Sequence, residues 1–516
     1  MLRKLVDYAN ISRVSAILTH RPALDRFTVT GLLAIAGLAA VYLLALRVDA
    51  AWPVFWVAGV AFGAISQRSR FCFVAGFRDL FLMRQGRMMR GIIAGLAVGS
   101  IGFAMIMATV VPNPGSGVIP ADAHILPLGI ATVLGGLLFG FGMVLSGGCV
   151  SGSLYRMGEG YLGSWVAIGG VLLGLYALNR TWNWWWDNQI STDRISWLPT
   201  DLTYTGTILV TLALFGLAFY AVSWWERRGF RGTVVTIPVV SAAPAAQPPG
   251  TTLSGLARRV FRDEWTPLVG GIALAAVNIV LFIRYRPLGV VGELSRWTSD
   301  LSATLGAGVG ELQGISDIPG CVPRFVEGSW FSDAFMLNVG IVAGAFTAAL
   351  LAREFRPRVP RGPRRYVQSL AGGLVMGYGA GLGLGCTLGA FFSAIPSLAL
   401  NGWIYAAALA VGAAAVTAFN RRFACAVARR WRSWTCGAGR PPSRCTPRTR
   451  RSSAPRVAPG RASSPTWTWS PPTCCRRRRS AGSGAASSRR RTGRGRCASR
   501  PQGRSPMRGR EADDRE

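Results

Sequence analysis

The stretch GFGMVLSGGCVSGSLYRMGEG, from Gly140 to Gly160, has a second copy further along the chain: GYGAGLGLGCTLGAFFSAIPS, from Gly377 to Ser397. At a constant offset of 237 residues, Gly140, Gly142, Gly148, Cys149 and Gly152 match Gly377, Gly379, Gly385, Cys386 and Gly389. Leu145 matches Leu382, and Phe141 stands where the second copy has Tyr378. Packing alone seldom requires a thiol between glycines at corresponding places in two halves of a chain. The duplication therefore points to a paired site on a pseudo-symmetry axis.

Half of the 516 residues are hydrophobic, and the mean hydropathy is positive. Apolar runs near or above about 18 residues recur, the length needed to cross a bilayer. Gly31–Leu46, Gly91–Val111 and Leu202–Val222 are examples. The expected fold is all-α: a polytopic membrane helical bundle of two inverted-topology repeats with broken, re-entrant half-helices. The polar, basic start (MLRKLVDYANISR) carries no recognisable cleavable signal peptide.

A net charge of +34 raises the question of nucleic acid, but its location argues against that partner. From Arg421 onward, 26 arginines stand against four acids, so this tail supplies +22. The preceding 420 residues carry +12, mostly in loops, as the positive-inside rule would place it. The tail is rich in Arg, Pro, Ser and Gly and has no apolar period. It reads either as disordered or as out-of-frame translation of a GC-rich gene. Six of the ten cysteines lie in it, with no histidine nearby to complete a zinc site. The informative cysteines are Cys72, Cys149, Cys321 and Cys386.

Ten spans are expected, at about 30–47, 52–67, 90–111, 127–147, 162–179, 204–224, 267–284, 334–352, 366–385 and 400–419. Arg3, Lys4, Arg13, Arg21 and Arg26 place the N-terminus in the cytoplasm, and the basic loops 68–90, 225–265 and 353–365 fall on the same side. The loops 112–126 and 180–203 fall outside and contain few arginines. The expected organisation is a cytoplasmic segment 1–29, a first repeat 30–224, a Pro/Ala/Gly linker 225–266, a second repeat 267–420 and the tail 421–516. A weaker repeat pairs Arg70–Asp79 with Arg324–Asp333; loop 68–90 is inside and loop 285–333 outside, so the halves run in opposite senses.

In lipid, irregular backbone survives only where protein or a cavity covers it. Gly148 and Cys149, like Gly385 and Cys386, close an apolar run and so read as a break between two helical pieces. Each cysteine would head a short helix, Val150–Met157 or Thr387–Ala394, whose free N–H groups and dipole favour an anion and a reactive thiol. Ser146, Ser151 and Thr387 add hydroxyl donors. Cys72 sits beside the basic loop between Arg70 and Arg78, an arginine pair that either receives an anion or anchors the loop. Small-residue helix packing explains the glycines as well, but not a cysteine repeated in register.

Lys4 is the only lysine, which excludes a Walker A lysine and a buried Schiff base. The histidines, His20 and His124, lie outside the repeated motifs, and no dinucleotide fingerprint follows a strand. No cofactor is expected.

At SRFCFVAGFRD, GFGMVLSGGCVSG and GYGAGLGLGCTLG the chain resembles the YeeE/YedE family of sulfur-transport membrane proteins, the thiosulfate importers, over about residues 50–420. The resemblance implies an hourglass-shaped inverted repeat in the bacterial inner membrane, with Cys72, Cys149 and Cys386 lining the path of a small sulfur anion. Thiosulfate would pass by transient S–H···S or S–H···O contacts. It also implies a cytosolic TusA-like sulfur carrier as a partner, although the tail has no Cys-Pro-X-Pro motif. A transporter, not an enzyme, is the expected class. A membrane thiol enzyme of sulfurtransferase type and a selenium-compound transporter are the alternatives; no base or resolving Cys-X-X-Cys lies near Cys149 to support the former.

Overall fold

The computed structural model describes residues 26–229, 263–306, 308, 312–314, 331–360 and 362–436. Most of the expected N-terminal segment, linker and tail, together with Cys321, lies outside the described residues. Thirteen α-helices are described: α1 Arg26–Ala45, α2 Trp52–Ser69, α3 Phe73–Leu82, α4 Arg87–Val110, α5 Ile130–Ser146, α6 Val150–Gly158 and α7 Leu162–Asn188. They continue with α8 Leu198–Gly229, α9 Pro267–Arg284, α10 Val291–Thr304, α11 Asp333–Leu351, α12 Pro363–Leu382 and α13 Leu400–Cys436. A π-helical segment, Thr387–Ser393, lies between the last two. The only described sheet pairs Pro127–Leu128 with Arg194–Ile195, antiparallel. Val427–Glu516 separates as a second unit, whose described part is the end of α13.

Each of the ten expected spans meets a helix. Among the described residues, seven helices are long and apolar enough to cross a membrane, counting Ile130–Gly158 as one. The bent pair Pro363–Leu382 and Thr387–Ser393 makes an eighth. The protein is a multi-pass membrane helical bundle. The structure adds α3 and α10, short helices that hydropathy does not single out. It also carries α13 to Cys436, past the boundary expected at Arg421.

Close backbone contacts set the helix directions. A Cβ on Gly59 would meet the Leu337 carbonyl, and one on Gly63 the Ile341 carbonyl at 2.1 Å, so α2 and α11 run parallel. Gly91 against Pro267 and Gly95 against Gly271 make α4 and α9 parallel in the same way. Gly135 against Gly383 and Gly142 against Gly372 set α5 antiparallel to α12. Lipid tails offer helices no hydrophobic drive to associate, so such small-residue seams supply the van der Waals contact that holds them.

This pairing is the mark of an inverted repeat. Exchanging α2 with α9 and α4 with α11 turns one parallel pair into the other, while α5 and α12 are exchanged for each other in opposite directions. Helix order then matches α3 with α10, rather than with the segment ending at Asp333, which is the first residue of α11. Cys72 immediately precedes α3, and Val290 immediately precedes α10, so the third thiol has no counterpart.

The two ends of the bundle differ in charge. At one, Arg70 meets Glu354 at 3.0 Å, Arg90 meets Glu226 at 2.6 Å, and the Leu162 amide bonds the Arg358 carbonyl. At the other, the His124 amide donates to Ser397 Oγ at 3.1 Å and the Leu198 amide to the Leu398 carbonyl. We call these the arginine-rich face and the His124 face.

Candidate functional site

The two repeated motifs form two broken helices that meet inside the bundle. The first runs down α5, leaves the helix at Gly147 (φ +82°), and restarts as α6 with Cys149 as its N-cap. The second runs the opposite way along α12, turns left-handed at Leu384 (φ +53°), bends by 46°, and restarts as the π-helical segment capped by Cys386. Each thiol accepts from the turn that it caps: Gly152 N–H reaches Cys149 Sγ at 3.3 Å, and Leu388 N–H reaches Cys386 Sγ at 3.3 Å. A side chain one residue before a helix normally caps it with oxygen. Here sulfur takes that place, which fixes both rotamers.

Gly148 and Gly385 allow the chain to fold back this tightly. A Cβ on Gly148 would lie 2.9 Å from Ser153 Oγ, and one on Gly385 would lie 2.8 Å from the Ala390 amide nitrogen. Ser146 is spent on the break, its hydroxyl donating to the Gly148 carbonyl at 2.9 Å. Ser151 Oγ lies 3.6 Å from Cys149 Sγ. Thr387, from the other half, turns its buried hydroxyl towards the Cys149 thiol and has no partner within hydrogen-bond range.

All three described cysteines are free thiols and nearly inaccessible: Cys149 is 0 %, Cys386 1 % and Cys72 3 % exposed. Cys149 is the middle one, near enough to interact electrostatically with Cys72 and with Cys386. On the His124 side, Cys386 borders a chamber of about 290 Å³ lined by His124, Asn179, Trp182, Arg286, Glu293 and Arg296 among others. On the other side, Phe62, Phe71, Phe73 and Tyr155 close around Cys72 and Cys149 and leave no room for a water molecule. Phe73 also stacks edge-on against Phe391 and Phe392, tying this plug to the π-helical segment.

Arg70 and Arg78 do not join the thiols. Arg70 is held between Glu354 at 3.0 Å and Glu159 at 3.9 Å on the arginine-rich face, so its charge is already matched. Arg78 pairs with Asp79 at 2.8 Å and lines a separate cavity of about 220 Å³ with Ser146, Arg365 and Gln368.

Sequence reading missed two residues. Arg156 donates through Nη2 to Cys72 Sγ at 3.5 Å and through Nη1 to the Gly147 carbonyl at 2.5 Å. No carboxylate among the described residues lies within ion-pair distance of it. Its signal was spacing: seven residues beyond Cys149 is two helical turns, hence the same side of α6. His124 gave no local signal. It lies outside the motifs in sequence, yet the fold sets its Nε2 about 3.2 Å from where a Cβ on Gly389 would be.

A multi-pass bundle built from two inverted halves, with a thiol at each helix break, is the architecture of a membrane transporter. The chain belongs to the sulphur transport family, whose model matches residues 68–415. It is 28% identical over 359 residues to the thiosulfate transporter TsuA of Escherichia coli (strain K12), covering 67% of this chain and 88% of that one. To the thiosulfate transporter TsuA of Spirochaeta thermophila it is 28% identical over 360 residues, 67% of this chain and 92% of the other. A shorter match, 36% over 183 residues, links it to the probable transporter YedE of Salmonella typhimurium, covering 34% and 42% of the two chains.

Proposed function

We propose that this protein imports a sulfur-containing oxyanion, thiosulfate foremost, across a bacterial inner membrane, with the N-terminus and the arginine-rich face on the cytoplasmic side. The observation that carries the reading is the meeting of two oppositely directed helix breaks, which sets Cys149 and Thr387 near Cys386, the thiol that borders the chamber. The thiosulfate transporters among its relatives support the cargo. The arginines gathered at one face support the orientation.

The chamber receives the anion and Cys386 meets it first. Thiols are weak donors, and weak sequential contacts let an ion leave as readily as it enters. A dianion loses far more hydration than thiols alone can replace. Thr387's unpaired hydroxyl and the Arg156 guanidinium supply what the thiols lack on either side of Cys149. Because the aromatic plug leaves no room even for water, transfer from Cys149 to Cys72 needs those rings to move. Passage is therefore gated rather than an open pore. At the arginine-rich face the ion passes to a cytosolic carrier of the TusA-like kind.

The test is uptake of radiolabelled thiosulfate by a sulfur-auxotrophic host expressing wild type, Cys149→Ser or Cys386→Ser, with membrane insertion measured in parallel. Uptake in each variant should fall at least about tenfold, the loss of roughly 1.4 kcal/mol or more of barrier stabilisation. Undiminished uptake in both variants contradicts the reading. A persulfide trapped on Cys72 or Cys149 by mass spectrometry during turnover favours a thiol enzyme instead.

A further inference from the structure

His124 is the buried polar group that the transport reading leaves without a task. It is 4 % exposed, on the loop between α4 and α5, and is pinned there by its amide bond to Ser397 Oγ. One ring nitrogen hydrogen-bonds the backbone of Leu384, at the helix break itself. The other, Nε2, is buried without a partner and lies against Gly389, three residues beyond Cys386; His124 and Gly389 both line the chamber. With its N–H spent on the backbone, the neutral ring offers the chamber a bare acceptor. An anion needs a donor.

The charges among the described residues around the chamber do not sum to a net positive field. Arg286 is paired with Asp333 at 2.5 Å. Arg296 is paired with Glu293 and with Asp300, each at 2.5 Å. Glu293 is further bound by Ser332 Oγ and Trp297 Nε1. Two arginines thus stand against three carboxylates. Cys386 is the other titratable group facing the ring from the π-helical side, and α7 contributes Asn179 and Trp182, which do not titrate. Among the described residues, a dianion entering this chamber meets arginines already matched by carboxylates, beside a histidine that can gain a proton.

Resting on the transport reading, we propose that His124 is a proton-accepting contact of the outer chamber, so that a doubly charged sulfur oxyanion binds there together with one proton taken up at Nε2. The proton turns the bare acceptor into a charged donor at the chamber wall and replaces part of the anion's lost hydration. Burial first of all, opposed by the Leu384 bond and reinforced by nearby Arg286, holds His124 down at about 4. It is therefore neutral at physiological pH. An anion beside the ring favours the charged form, so occupancy raises this value and proton uptake follows. Affinity then climbs as pH falls, by up to about tenfold per unit between the occupied and the empty values.

The experiment is calorimetric titration of the purified full-length protein with thiosulfate, and separately with sulfate, in buffers of different ionisation enthalpy at pH about 6 and about 8. Wild type should take up close to one proton per anion and bind more tightly at the lower pH. His124→Gln should abolish the proton uptake and flatten the pH dependence. Gly389→Ala, which sets a methyl against Nε2 and leaves the histidine in place, should weaken binding several-fold and provides the second variant if the first fails to fold. Proton uptake with sulfate but not thiosulfate supports this inference while contradicting the thiosulfate reading. Thiosulfate binding without proton uptake, or equal proton uptake by His124→Gln, overturns the inference and leaves transport standing. Failure of the wild type to bind either ion contradicts both.

Discussion

Gly147 and Leu384, 237 residues apart and equivalent in the two halves, both take the left-handed backbone conformation, at φ +82° and +53°. The geometry of the break is thus conserved between the halves although the residue is not. A leucine there is strained, and strain of this kind persists only where the surroundings over-determine it. Leu384 packs with the cluster of Leu126, Leu178 and Trp182, which holds it in place. Each break lies two residues before its cysteine, so the turn sets where the thiol points.

The two positions should respond unequally to substitution. Gly147→Ala places a Cβ in the left-handed region and should cost about 1–2 kcal/mol. Leu384→Gly relieves about 1 kcal/mol of backbone strain while losing a partly buried side chain, and should stay within about 1 kcal/mol of wild type. Thermal unfolding in detergent distinguishes the two. Equal losses would show that the left-handed turn is not what the glycine supplies.

Arg156 should separate transport from folding. Arg156→Lys keeps a positive charge but cannot span the Gly147 carbonyl and Cys72 Sγ with a planar fork. Uptake should fall about tenfold, the equivalent of roughly 1.4 kcal/mol, with membrane insertion unchanged. Arg156→Met, which also removes the charge, should fall further. A lysine variant as active as wild type would show that the geometry of the guanidinium is immaterial.

The glycine seams allow a sharper contrast. A Cβ on Gly63 would lie 2.1 Å from the Ile341 carbonyl, a backbone atom that cannot step aside, whereas Gly37 has nothing within 4 Å. Gly63→Ala should force α2 and α11 apart and cost several kcal/mol, read as loss of the folded monodisperse peak. Gly37→Ala should be neutral or slightly stabilising, since alanine is the better helix former by about 1 kcal/mol.

His124 predicts an acid-sensitive fold. Its folded value of about 4 lies below the ordinary histidine value of about 6.5, so between the two the unfolded chain binds more protons. The stability contribution is complete above about 6.5 and is lost as pH falls towards 4, at up to about 1.4 kcal/mol per unit. His124→Gln should flatten the stability–pH curve in that window. Thiosulfate should flatten it for the wild type as well, by raising the folded value. A variant with an unaltered acid limb would assign the loss to other groups.

The membrane class, a helix at each of the ten apolar runs and the two helix breaks were legible because each rests on local signals: apolar run length, glycine beside cysteine, and repetition in register; of those helices, seven, or eight with the bent pair, are long and apolar enough to cross a membrane. The positions of Cys149 and Cys386 at those breaks were legible for the same reason. Arg70 and Arg78 read from sequence as either an anion pair or a loop anchor; their ion pairs with Glu354, Glu159 and Asp79, distant or unweighed in sequence, favour the anchor. Arg156 was legible in principle, from two-turn spacing within the quoted motif. His124 was not, because its place depends on Ser397, 273 residues away, and on a loop with no periodicity. Helix α3 and its counterpart α10 were missed because each is too short to give a hydropathy signal.

Thiols at two inverted helix breaks are proposed to conduct a sulfur anion. The most direct test is uptake of radiolabelled thiosulfate into proteoliposomes containing only this protein, with the Cys149→Ser/Cys386→Ser double variant as the comparison and sulfate and selenite as competitors. Uptake by the wild type should be saturable and weakly inhibited by sulfate, with at least about a tenfold loss in the double variant. Uptake by the double variant equal to that of the wild type, or none by a correctly inserted wild type, would contradict it.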